Sequence, residues 1–224
     1  MNSIDWGFMF SAFPALIEAL PITLLMAVAA MVFAVIGGLI LALITKNRVP
    51  VLHQLSKVYI SFFRGVPTLV QLFLIYYGLP QLFPGMSKMT ALTAAIIGLS
   101  LKNAACLAEI FRAALNSVDE GQLEACLSVG MTKSQAYRRI IFPQAVRNAL
   151  PATGNTFIGL LKETSLAFTL GVMEMFAQGK MYASGNLKYF ETYLAVAVMY
   201  WILTIIYSVL QDLLERAISK PYRT

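Results

Sequence analysis

The chain of 224 residues is 58% hydrophobic and only 12% charged, with a formal net charge of +6. Soluble domains carry about 25% charged residues, so this composition and the mean hydropathy of +0.71 exclude an ordinary soluble domain. The basic excess is expected in cytoplasmic loops of a membrane protein, not at a nucleic-acid surface. Cys106 and Cys126 are too few and too far apart for a metal cluster or a disulfide framework.

Apolar segments predict an all-α integral membrane protein, folded as a single domain over residues 1–224. A membrane-spanning helix needs about 20 predominantly apolar residues. The five predicted spans are residues 19–44, 59–79, 90–115, 150–173 and 192–210. No Lys or Arg precedes Lys46, so the first segment lacks the basic start of a signal peptide and is expected to be retained.

The distribution of Lys and Arg predicts the orientation, with the N-terminus outside and the C-terminus in the cytoplasm. Outside segments then hold only Lys88, Lys180 and Lys188. The cytoplasmic segments hold Lys46, Arg48, Lys57, Arg64, Arg112, Lys133, Arg138, Arg139, Arg147, Arg216, Lys220 and Arg223. The reverse orientation would violate the positive-inside rule.

The polar stretch between the third and fourth spans, residues 116–148, predicts a helical hairpin at the inner membrane surface. Residues 124–129 have a helical pattern, and Gly130 can take the positive φ of a turn. A second helical pattern begins at Lys133. We expect it to stop at Pro143, which lacks an amide hydrogen.

A motif in this hairpin resembles a known family. Glu124-Ala125-Cys126, Gly130 and Ile140-Ile141-Phe142-Pro143 resemble the EAA loop of bacterial ATP-binding-cassette (ABC) import permeases, with Cys126 and Phe142 as apolar departures. The segments 63–73, 76–80, 108–112 and 161–166 look like the polar amino-acid branch of that family. The resemblance covers the chain from about residue 60 to 172.

The resemblance implies the type I ABC importer transmembrane fold and a multi-pass location in the bacterial cytoplasmic membrane. It also implies a coupling loop that docks on a cytoplasmic ATPase subunit through Glu124, Ala125, Gly130, Ile140 and Pro143. The further partners are an extracellular solute-binding lipoprotein and a second permease copy or a sister permease. The implied substrate is a polar amino acid, with cystine as the best guess. Spacing alone leaves an ordinary amphipathic surface helix open.

Charged and hydroxyl side chains inside predicted spans are candidates for the substrate path, because charges in a bilayer face the bundle interior or pair. We expect the Lys102 ammonium either to contact a substrate carboxylate or the Glu163 carboxylate, or to reach a hydrated cavity at the end of its long side chain. Lys162, Glu163, Thr164 and Ser165 form a good cavity wall for a zwitterionic amino acid. Their alternative role is hydrogen bonding between helices.

Three other sequence features are expected to have structural roles. Glu109 and Arg112 lie three residues apart, which favours an intrahelical ion pair over a gate. Gly65 and Pro67 allow a bend at the start of the second span. His53 is expected to be a solvated loop residue, not a ligand.

The chain lacks the Gly-x4-Gly-Lys-Ser/Thr phosphate loop and any nucleophile elbow or HExxH motif. We therefore expect a transport subunit that is not an enzyme, with no cofactor or metal, whose ATP is hydrolysed by a partner. The alternative is an ion-gradient-driven amino-acid carrier, which would show internal repeats with broken helices. No convincing repeat is visible.

Overall fold

The computed structural model describes residues 4–219, and within that range the chain is helical without β-strands. Short 3-10 or π turns join several of the ten α-helices. The helices are α1 (Trp6–Lys46), α2 (Leu52–Gly65), α3 (Thr68–Phe73), α4 (Leu79–Leu82), α5 (Ala91–Asn116), α6 (Glu120–Ser128), α7 (Lys133–Ala136), α8 (Phe142–Glu163), α9 (Met175–Asn186) and α10 (Tyr189–Ser219). Two residues used for the orientation, Lys220 and Arg223, lie outside the described residues.

Helix α1 begins at Trp6, well before the predicted first span. Asp5 caps it by accepting a hydrogen bond from the Phe8 amide at 2.9 Å. The first half of α1 packs against α9 and α10, where Leu16 is fully buried beside Met175 and the start of α10. We attribute the continuation through Pro14 and Pro21 to this tertiary packing, which outweighs the local cost of proline.

Helices α1 and α5 meet along a seam of small side chains. Ala27, Ala30 and Ala34 of α1 are fully buried. A Cβ atom placed on Gly38 would lie 2.8 Å from Leu107 Cβ of α5, so this position has no room for a side chain. Small residues allow this close approach of two helices in a membrane.

The second apolar segment is broken. Helix α2 and the α3–α4 segment are bent by 112°, which confirms the bend expected from Gly65 and Pro67. Because Pro67 has no amide hydrogen, the Phe63 carbonyl loses its helical donor. The buried Gln71 side chain replaces that donor, since its Nε2 lies 3.0 Å from Phe63 O and 2.7 Å from Val66 O. His53 lies half-buried in α2 and not in a solvated loop, contrary to the prediction.

The helical path does not stop at Pro143, contrary to prediction. A π turn, Tyr137–Ile141, connects α7 to α8, and its last bond joins the Phe142 amide to the carbonyl of Tyr137. This wider turn lets Pro143 occupy the first turn of α8, where its missing amide is tolerated. The helix continues as a 3-10 helix over Thr164–Leu170 and bends by 55° before α9.

The outer surface of the bundle is apolar. On α1, Ile17, Val28 and Phe33 each expose more than half of their surface, and Trp201 of α10 does the same. Such a surface suits lipid and not water. Helices α1, α5 and α10 are each long and apolar enough to cross a membrane, and the number becomes five if each bent pair counts as one span. The orientation remains a prediction from charge.

Candidate functional site

The polar hairpin consists of α6, α7 and the turn between them. Asp119 caps α6 by accepting a hydrogen bond from the Gly121 amide at 2.7 Å. At the other end, the Gly130 amide bonds to Leu127 O and the Met131 amide bonds to Cys126 O, both at 3.0 Å. This pair of bonds is a Schellman motif, which needs a left-handed residue, and Gly130 supplies a φ of 81°.

The second arm of the hairpin starts with a capping box. Gln135 N donates to Thr132 Oγ1 at 3.3 Å, and Thr132 N donates to Gln135 Oε1 at 2.8 Å. Cys126 of α6, Ala136 of α7 and Ile141 of the π turn are buried, and α6 packs against both of the other elements. The sequence therefore fixes the turn with defined end motifs.

The base of the hairpin is attached to the long helices. Asn148 Nδ2 of α8 donates to Ser117 Oγ, directly after α5, at 2.8 Å. Lys46 Nζ, at the end of α1, donates to Leu115 O at 3.2 Å and lies 5.5 Å from the centroid of the Tyr137 ring. A force on the hairpin would thus reach α5, α8 and the end of α1.

The five predicted coupling residues occupy two places. Glu124, Ala125 and Gly130 are exposed on α6 and its turn. Ile140 is half-buried in the π turn, and Pro143 is exposed in the first turn of α8. The first three form the free surface of the hairpin, and the last two lie where it joins α8.

An ion pair joins two of the predicted path residues. Lys102 Nζ of α5 lies 2.6 Å from Glu163 Oε1 at the end of α8, and the two side chains expose 20% and 25% of their surfaces. Glu163 Oε2 is buried and has no hydrogen-bond partner among the described residues. Of the contacts considered for Lys102, the structure thus contains the one with Glu163.

The other three path candidates do not share this contact. Lys162 is exposed. Thr164 is fully buried and donates to Leu161 O at 2.7 Å, while Ser165 donates to Lys162 O at 2.7 Å. Both hydroxyls satisfy carbonyls where α8 changes into the 3-10 helix. The Thr164 side chain also hydrogen-bonds to the Tyr200 side chain of α10, so it joins two helices, whereas the bond from Ser165 to Lys162 O is local.

The intrahelical pair expected from Glu109 and Arg112 is confirmed. Arg112 Nη2 lies 2.6 Å from Glu109 Oε2, and Arg112 Nε lies 3.4 Å from Glu109 Oε1. The guanidinium thus holds both carboxylate oxygens near the C-terminal end of α5.

Sequence reasoning missed a buried carboxylate at Glu174. Its oxygens accept hydrogen bonds from the amides of Phe176 at 2.9 Å and Ala177 at 2.7 Å, and from the Tyr200 hydroxyl at 3.1 Å. It caps α9 and lies in the 55° bend beside Thr23, whose Oγ1 accepts from the Met175 amide at 3.0 Å. The available signal was a single acidic residue within an apolar stretch, which requires buried partners.

A third ion pair lies just before the starts of α1 and α10. The Lys188 ammonium contacts the Asp5 carboxylate and lies 4.8 Å from the centroid of the Phe8 ring. The hydrogen bond from Lys188 and the bond from the Phe8 amide lower the pKa of Asp5 below its ordinary value. This contact ties the start of α1 to the start of α10.

Together, the bent helices, the interhelical ion pair and the attached hairpin define a membrane transport subunit with the type I ABC importer fold. Residues 34–220 match the family model described as "Binding-protein-dependent transport system inner membrane component". The chain belongs to that family.

Known relatives agree with this assignment. The chain is 89% identical to the "Probable amino-acid permease protein YxeN" of Bacillus subtilis (strain 168) over the full length of both. It is 41% identical to the "L-cystine transport system permease protein TcyL" of the same organism, covering 98% of this chain and 93% of TcyL. A solved structure described as "Crystal structure of an amino acid ABC transporter with histidines" matches with a TM-score of 0.87 and 38% identity, over 96% of this chain and 100% of that one.

The protein is therefore a permease subunit of an amino-acid ABC transporter, located in the membrane. Its family implies an ATPase as partner.

Proposed function

We propose that the permease imports a polar amino acid, with cystine as the first candidate. A separate subunit hydrolyses the ATP, and this subunit docks on the hairpin, residues 116–148. The similarity to TcyL supports cystine. The observation that carries the coupling role is the hairpin itself, which exposes Glu124 and Ala125 on a helix that has defined motifs at both ends.

A rigid contact is what mechanical coupling requires. The Schellman motif and the capping box fix the turn, and the Asn148–Ser117 bond ties both ends of the hairpin together. Packed elements of this kind move as rigid bodies between discrete arrangements. A movement of the ATPase surface under Glu124 would therefore displace α5 and α8 together.

The substrate path is proposed to pass the Lys102–Glu163 pair. The pair is partly exposed, and Glu163 lies where α8 gives way to a 3-10 helix. An ammonium and a carboxylate side by side complement the two charges of an amino acid, and Lys162, Thr164 and Ser165 lie next along the chain.

Additional partners complete the proposed transporter. Up to five spans make an incomplete path, so a second copy or a sister permease is expected across a two-fold axis. An extracellular solute-binding lipoprotein would deliver the amino acid. The permease contributes no catalysis, because the chemistry of ATP belongs to the partner.

The coupling role is tested by charge reversal at Glu124 in proteoliposomes that contain the permease, its ATPase and the binding protein. We expect Glu124→Lys to reduce substrate-stimulated ATP hydrolysis at least several-fold. Gln122→Lys is the matched control, because this exposed side chain lies about 160° away around the same helix. Equal rates in the two variants would remove the support for docking at Glu124.

The transport role is tested by uptake of a labelled amino-acid panel in the same proteoliposomes. We expect ATP-dependent uptake, with cystine preferred. Uptake driven by an ion gradient through the permease alone would refute the proposal and favour a secondary carrier.

A further inference from the structure

A strongly basic cavity lies at the C-terminal ends of α1 and α5, and its lining includes none of Glu124, Ala125, Gly130, Lys102 and Glu163. The cavity has a volume of about 900 Å³ and lies between the end of α1, helix α2 and the end of α5. Its charged lining consists of Lys46, Arg48, Lys57, Arg64, Arg112 and Glu109, together with His53. Five cationic side chains thus face one carboxylate, which is already bound by Arg112.

Several of these groups lack a protein partner. Within residues 4–219, neither Arg48 nor Lys57 forms an ion pair or a side-chain hydrogen bond. The Nδ1 atom of His53 is buried and also has no partner in that part of the chain. The exposed Arg48 and Lys57 side chains are therefore both available to an anion in the cavity.

Helix α2 forms one wall of the cavity and is amphipathic. His53, Lys57, Ser61 and Arg64 line the cavity on one face of this helix. The apolar side chains at the opposite face are exposed, with Leu55 at 59%, Val58 at 68% and Phe62 at 44% of their full surface.

Such a helix lies in the membrane interface, with its apolar face toward acyl chains and its basic face at headgroup level. The 112° bend after α2 supports this placement, because it turns α2 well away from the axis of the α3–α4 segment that follows.

We propose that this basic cavity binds the phosphate of an anionic phospholipid headgroup in the inner leaflet. Arg48 and Lys57 supply the unpaired charges, Ser61 and His53 supply hydrogen bonds, and the apolar face of α2 rests on the acyl chains. Basic cavities between helices on the cytoplasmic side bind such headgroups. A lipid is favoured over a soluble phosphate because α2 holds the cavity at the depth where anionic headgroups are concentrated.

The test is native mass spectrometry of the full-length permease in detergent micelles titrated with phosphatidylglycerol. We expect the double variant Arg48→Gln/Lys57→Gln to weaken binding by about 25-fold, or about five-fold for each basic residue removed. The control Arg138→Gln/Arg139→Gln removes two exposed charges from the same membrane side and should stay within about two-fold of the unmodified protein. The charge-conserving variant Arg48→Lys/Lys57→Arg should retain binding, which separates charge from folding.

Four results would overturn the proposal. Equal weakening of phosphatidylglycerol binding in the cavity variant and the control would show that binding depends on general surface charge and not on the cavity. Equal binding of phosphatidylcholine would show that the anionic charge is irrelevant. Displacement of phosphatidylglycerol by millimolar inorganic phosphate would assign the cavity to a soluble anion. Loss of the bound lipid in the complex with the ATPase would assign this surface to a protein interface. None of these results bears on coupling at Glu124, so the two proposals fail separately.

Discussion

Replacing Glu163 by glutamine should destabilise the permease by about 2 kcal/mol. Removing one partner of a fully buried ion pair costs about 3–5 kcal/mol, whereas an exposed pair contributes at most about 1 kcal/mol. Lys102 and Glu163 expose 20% and 25% of their side chains at a separation of 2.6 Å, which places this pair between the two limits. Glu163→Gln keeps the shape of the side chain but leaves the Lys102 ammonium unpaired between helices.

The assay is a double-mutant cycle on unfolding in detergent with Glu163→Gln, Lys102→Met and the combined variant. We expect the combined variant to be more stable than Glu163→Gln alone, because it no longer contains an unpaired ammonium. Lys162→Met is the matched control, since Lys162 is exposed and adjacent to Glu163. Its stability should change by no more than about 0.5 kcal/mol.

Additivity of the two single substitutions would refute the reasoning, because it would mean that the two charges do not interact. Uptake kinetics separate a structural pair from one that also contacts substrate. If the pair binds the amino acid, the combined variant should show a raised KM even where its stability is restored.

Three further outcomes are expected. Gly130→Pro should abolish substrate-stimulated ATP hydrolysis, because proline requires φ near −65° and Gly130 has φ of 81°. Gln71→Leu should lower the free energy of unfolding in detergent by about 1–3 kcal/mol, since the half-buried Phe63 and Val66 carbonyls lose their donor. Because the folded pKa of Asp5 is lowered, its ion pair persists above the ordinary aspartate pKa and breaks only as pH falls through the lowered value. Trp6 fluorescence in a Trp201→Phe background should therefore titrate below about pH 3.9.

Each of these outcomes has its own control. Gly130→Ala should keep partial coupling, because alanine enters the left-handed region at a cost of about 1 kcal/mol, and full activity of Gly130→Pro would contradict the turn assignment. Gln81→Leu removes a similar side-chain bond at an exposed site and should be nearly neutral; a loss as large as that of Gln71→Leu would count against the role of Gln71. Asp5→Asn should remove the acid transition.

Composition and hydropathy predicted the helical membrane fold, because the cost of unsatisfied backbone groups in lipid leaves a chain of this kind few alternatives. The bend at Gly65 and Pro67 was also predictable from the two residues themselves. The continuation past Pro143 was not, because it depends on a π turn that a proline pattern does not reveal. The early start of α1 depends on packing against α9 and α10, which are distant in sequence.

The candidate sites were predictable to different degrees. The turn between the two arms of the hairpin followed from Gly130, because a left-handed turn leaves a local signal in sequence. The Lys102–Glu163 contact was one of several options, since only the folded chain brings together two residues 61 positions apart. Glu174 was missed because the predicted fourth span ended at residue 173, which placed this carboxylate in a loop.

The seam between α1 and α5 limits how the permease can change shape. Gly38 faces Leu107 so closely that α1 cannot rotate about its axis without driving side chains into the α5 backbone. We expect these two helices to travel as one unit through a transport cycle, with relative motion concentrated at the breaks near Pro67 and Gly171. A cysteine cross-link across the seam should consequently leave transport intact, whereas one across either break should arrest it.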